Sequence, residues 1–125
     1  MQPLDASAGA AEVSRQAKPI DPQSAVDYMV KAAPAYAKAK AERVYLEEFR
    51  KSKKALLMQA HADKPIGAQE REAYAHPEYI GLLAALRVAV EAEETARWML
   101  VSAQTRVEVW RSTEASNRQI ERTTA

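Results

Sequence analysis

The chain has 125 residues, 47% of them hydrophobic and 28% charged, with a formal net charge of +1, no cysteine and only three glycines. A length of one ordinary domain, rich in alanine and poor in β-branched runs, favours helix and leaves little material for sheet. Without cysteine neither a disulfide framework nor a thiolate metal site can form. No run of about 18 apolar residues occurs, and no apolar segment follows basic residues at the start, so neither a membrane span nor a secretory signal is expected. A cytoplasmic protein is the simplest expectation.

Residues 1–20 mix small, polar and proline residues without a sustained period and read as a disordered tail, with a single helical domain over residues 21–125. Asp21-Pro22 is a helix start, an N-cap followed by proline at the first helical position, and Ala25, Val26, Met29 and Val30 then follow at helical spacing. This short helix is expected to end near Ala33, because Pro34 disfavours helical geometry in the residue before it. A second helix is expected from Ala35 to about Ala62. At 100° per residue it places Tyr45, Leu46, Phe49, Leu56, Leu57 and Ala60 on one face and Lys40, Arg43, Arg50, Lys51 and Lys54 on the other.

Charge is unevenly divided. Residues 36–64 carry eight Lys/Arg against four Asp/Glu, whereas residues 65–125 carry seven against nine. Asp63-Lys64-Pro65-Ile66-Gly67 supplies a turn, Ala68 to Ala75 reads as one or two helical turns, and His76-Pro77 marks the next boundary. From Pro77 to about Glu121 only Gly81 interrupts a helical pattern. A heptad-like seam runs through Tyr79, Leu82, Leu86, Ala89, Glu93, Ala96, Leu100, Ala103, Val107 and Trp110. Such a helix would be on the order of 65 Å long, longer than the basic helix available to pack on it. The fold expectation is therefore all-α: a long helical hairpin with a short N-terminal helix. The excess length and the apolar residues off the seam point to a homo-oligomer, with Leu83, Val90, Trp98, Val101, Val107 and Trp110 at its interface.

Catalytic motifs are missing: there is no glycine-rich phosphate loop, no HExxH, and His61 and His76 flank a turn without a fixed acid–base partner. A non-enzymatic role without cofactor or metal is expected, and Glu91, Glu93 and Glu94 read as carboxylates that pair with arginines such as Arg97. Clustered cations attract phosphate backbones, so Lys40, Arg43, Arg50, Lys51 and Lys54 are the candidate nucleic-acid contacts, and Tyr74 is the candidate platform for a stacked base. The other reading of the cations is a solvated helix face. A protein–protein module that acts as scaffold or inhibitor is the corresponding alternative function.

The order AKAKAERVYLEEFRKSKKALL, a turn, EREAYAHPEYIGLL, and a long helix with ARWMLVSAQTRVEVWRS and ASNR resembles small helical proteins of tailed-bacteriophage recombination gene clusters. It is also distantly similar to the UvsY-type recombination mediators. The resemblance spans roughly Ala35 to Arg122 and implies an oligomer that binds single-stranded DNA and helps load a phage recombinase onto strands covered by single-strand-binding protein. Within it, the Lys38 to Lys54 block matches the basic region of such a mediator in character.

Overall fold

The computed structural model describes residues 19–124, which form three helices and, among these residues, no strand. Helix α1 runs from Pro22 to Gln59, α2 from Ile66 to Ala75 and α3 from Pro77 to Thr124. The tail expected over residues 1–20 lies almost wholly outside the described residues. No described helix is long and apolar enough to cross a membrane.

The start of α1 follows the sequence expectation, with the Asp21 side chain accepting from the Gln23 N–H at 3.1 Å and Pro22 in the first turn. Its continuity does not. Pro34 sits inside the helix, so the expected short helix and the basic helix are one element. A proline there removes one backbone hydrogen bond and crowds the carbonyl four residues earlier, at Val30. Val30 and Pro34 are both exposed, which lets water take up the freed carbonyl, and the surrounding alanines (Ala32, Ala33, Ala35, Ala37, Ala39) have the strongest helix preference of any residue. Helix wins locally.

Helix α3 begins at a tight junction. His76 leaves helical geometry at the end of α2, its carbonyl accepts from Tyr79 and Ile80, and its Nδ1 accepts from the Glu78 N–H at 3.0 Å. One residue thus closes α2 and caps α3, with Pro77 pre-set at the first helical position.

Helices α1 and α3 pack antiparallel along most of α1, with α2 against both near the junction. On α3 the expected seam is met: Tyr79, Ala89, Glu93 and Ala103 are buried, and Leu82, Leu86, Ala96, Leu100 and Val107 are half-buried. Trp110 departs from it and is exposed. Ala25 of α1 lies beside Ala103, and Lys53 pairs with Glu78, so α3 passes the start of α1 near Val107 and continues for about 17 residues, on the order of 25 Å. Over that stretch neither α1 nor α2 is alongside to cover Trp110.

The seam of α1 carries the larger correction. The residues that turn toward α3 are Ala25, Met29, Ala32, Tyr36, Ala39, Arg43, Leu46, Arg50, Lys53 and Leu57, at alternating spacings of four and three. Three of them are cations. Tyr45 and Leu56, assigned above to the packing face, are exposed, and Arg43 and Arg50, assigned to the solvent side, are half-buried. The helix is rotated because α2 and α3 present carboxylates to it and because long cationic stems cover apolar surface while their heads reach a partner.

Candidate nucleic-acid interface

Arg43 is the most committed of the expected DNA contacts. Its Nε and Nη2 donate to the two carboxylate oxygens of buried Glu93, the latter at 3.1 Å, while Nη1 donates to Glu47 Oε2 at 2.9 Å. The two-pronged geometry matches a guanidinium to a carboxylate. The hydrogen bond to Glu93, then that to Glu47, raises the Arg43 pKa above its ordinary value, so the charge is permanent. Arg43 therefore ties α1 to α3. Glu93 is the only buried charged residue among those described, and no buried side-chain N or O atom among them lacks a partner.

The glutamates of α3 divide in function. Glu93 turns inward to Arg43, whereas Glu94 accepts from Arg97 at 2.9 Å, and that bond holds the Glu94 carboxyl below its ordinary value. No group of three or more His, Asp or Glu side chains among the described residues is placed to hold a metal ion.

Near the junction the expected residues converge. Arg50, Lys51, Lys54 and Tyr74, with buried Tyr79 behind them, line one open depression of about 430 Å³ where the three helices meet. Helix α1 supplies the cations within about one and a half turns, and α2 brings Tyr74 across to them. Lys54 Nζ lies 4.7 Å from the Tyr74 ring centroid and 3.4 Å from Glu70 Oε1. The interaction with Tyr74, then that with Glu70, raises the Lys54 pKa and keeps the ammonium charged. Tyr74 leans edge-on to Tyr79 at 5.3 Å between centroids, yet remains 47% exposed, so one side of its ring is held and another is open.

The cations differ in freedom. Lys51 pairs with Glu48 at 3.4 Å, an exposed and weak contact, and Arg50 has no carboxylate within 4 Å among the described residues. Lys40 is exposed but lies ten residues before Arg50, about 15 Å along the helix, and is not part of the depression. Of the six residues expected to contact nucleic acid, four come together, Arg43 is held inside the hairpin, and Lys40 stands apart.

Sequence reasoning missed Lys53, which pairs with Glu78 Oε2 at 2.6 Å and pins the start of α3 to α1. The Lys53 hydrogen bond depresses the Glu78 pKa. Its signal was the seam spacing, which Lys53 continues from Leu46 and Arg50. The residues expected at an oligomer interface also separate: Leu83, Val90, Trp98 and Trp110 are exposed, whereas Val101 and Val107 are half-buried. The Trp98 ring carries the Arg97 guanidinium 4.6 Å above its centroid.

A comparison with protein-family models, curated proteins and solved structures finds no match to this chain.

Proposed function

We propose that this helical hairpin is a non-enzymatic accessory protein of phage DNA recombination or replication that binds single-stranded DNA as an oligomer and assists recombinase loading. The observation that carries the reading is the convergence of Arg50, Lys51 and Lys54 with Tyr74 in one open depression. Cations beside an exposed aromatic ring are the two ingredients of sequence-tolerant single-strand binding: phosphate neutralisation with counterion release, and stacking. Arg50 and Lys51 are the phosphate contacts, because their charges are less committed than that of Lys54, the third cation of the depression. Lys54 stays at its post between Glu70 and Tyr74 and orients the ring on which a base stacks. A single depression of this size gives weak affinity, and repetition in an oligomer raises it through effective concentration. The resemblance to recombination mediators supports the same role and supplies the recombinase and single-strand-binding protein as partners.

A second reading, a protein–protein module without nucleic acid, draws on a different observation. Half of the cations of α1, Arg43, Lys51, Lys53 and Lys54, already have carboxylate partners, while Tyr45, Leu56, Val88, Trp98 and Met99 stand exposed. Fluorescence anisotropy with a labelled single-stranded oligonucleotide across a salt series separates the two. Binding that weakens steeply with salt, and falls about tenfold or more in Tyr74→Ala and in Arg50→Ala/Lys51→Ala, supports the first. No binding at low salt refutes it and leaves the second.

A further inference from the structure

The hairpin buries its own seam but is only half of a familiar arrangement. Two antiparallel helices in contact have two long sides. One side carries Arg50 and Lys54 and is occupied near the junction by α2 through Glu70 and Tyr74. Among the described residues the other side is open apart from its end, where Pro19 and Ile20 lie beside Tyr28 and Met99. On α1 it bears Tyr28, Phe49 and Leu56, spaced by whole heptads, with Tyr45 stacked on Phe49 at 5.7 Å and nearly parallel. On α3 it bears Ala85, Val88, Ala92, Thr95, Met99 and Ser102, a second run at alternating spacings of three and four and without a charge. Tyr28 and Met99 meet across one groove, which fixes the two runs to the same side. Val88 is 62%, Leu56 57% and Met99 51% exposed.

From this we infer that a second copy of the chain docks on the Tyr28–Phe49–Leu56 and Val88–Met99 face, so that two hairpins close into a four-helix bundle. Three observations select a second copy as the occupant. The face continues the internal seam at the same period, which is the pattern helices of a bundle need when each touches two neighbours. Its charges are few and of both signs, Lys31, Lys38 and Glu42 on α1 and Arg106 on α3 at its register positions, so the apolar run between them is matched by another apolar face and not by a strongly acidic or basic partner. Its size also fits. From Leu56 to Tyr28 the face is about 42 Å long, and two helices about 10 Å apart make it about 20 Å wide, roughly the 800 Å² per partner of a standard stable interface. The thin core agrees: among the described residues no large side chain is fully buried. In this dimer the two Arg50–Tyr74 depressions lie on opposite outer flanks. The inference stands apart from the DNA reading, since its test contains no nucleic acid.

The test is the mass of the full chain by sedimentation and light scattering over a micromolar concentration range, with helicity followed by circular dichroism. The wild type should show twice the monomer mass. Val88→Glu/Met99→Glu should show the monomer mass with its helix content largely kept, and Val90→Glu, on the side of α3 toward α2, should stay dimeric. A wild-type monomer at every concentration overturns the inference, whatever the variants do. So does a Val88→Glu/Met99→Glu variant that keeps the wild-type mass.

Discussion

Removing the Arg43 head tests whether one ion pair fixes the alignment of the hairpin. Arg43→Leu keeps a strong helix former without β-branching and an apolar contact at the seam but leaves the Glu93 carboxylate, 7% exposed, without its two-pronged donor. Stranding a buried charge costs about 3–5 kcal/mol, and the lower end applies because the site is at a two-helix seam that water can reach. About 3 kcal/mol corresponds to a fall in Tm of about 12 °C for a domain near 100 residues. Arg43→Leu/Glu93→Leu should recover most of that loss, since two facing leucines at adjoining seam positions pack as the seam already does. The assay is thermal unfolding followed at 222 nm, at one fixed protein concentration because association shifts Tm. A fall in Arg43→Leu no larger than that in Lys51→Leu, a solvent-side control, would refute the reasoning. Failure of the double variant to recover would refute the claim that only the charge is at stake.

Pro34→Ala should raise Tm, by an amount worth up to about 3 kcal/mol, because it restores a hydrogen bond within a helix already formed; a lower Tm would show that α1 is not continuous there. Ala73 is fully buried between the helices, and Ala73→Leu should destabilise by about 1–3 kcal/mol through overpacking, read as a lower urea midpoint. Glu78 and Glu94 both have depressed pKa values, so they bind protons less readily in the folded chain than in the unfolded one. Their contribution is present above the ordinary glutamate value of 4.5 and is lost as pH falls through the lower folded values, so acid titration of the wild type should lose stability there, and Glu78→Gln should flatten that slope. An unchanged slope in Glu78→Gln would remove Lys53–Glu78 from the account.

The seam of α3 was legible from Tyr79 to Val107 because helical geometry alone brings residues three and four apart to one side, and nothing in that stretch contradicts the pattern. Trp110 fits the same spacing, but burial needs a neighbour, and the length of α1 on the far side of a turn decides whether there is one. The orientation of α1 was hidden for a related reason. Judged alone, Arg43 and Lys53 belong in water, and only Glu93 and Glu78, fifty and twenty-five residues further on, make them seam residues. Pro34 was read by its own cost and not against the alanines around it. The depression at Arg50, Lys51, Lys54 and Tyr74 was legible as a list of residue types. The position of α2, set by the His76 junction, is what gathers them.

The spacing of cations along α1 raises the question of what fixes the register of the hairpin. Arg43 and Arg50 occupy equivalent seam positions one heptad apart, and α3 offers a single seam carboxylate, Glu93, which now sits on Arg43 while Arg50 goes without. A shift of α3 by seven residues, about 10 Å, would bring Glu93 to the level of Arg50 but set Leu100 against Arg43. The shift is also barred at the far end: Lys53 would lose Glu78, and the short path from Gln59 through α2 to the His76 cap would have to unravel. The junction and the Arg43–Glu93 pair, at two levels of the hairpin, therefore hold the long helices to one alignment.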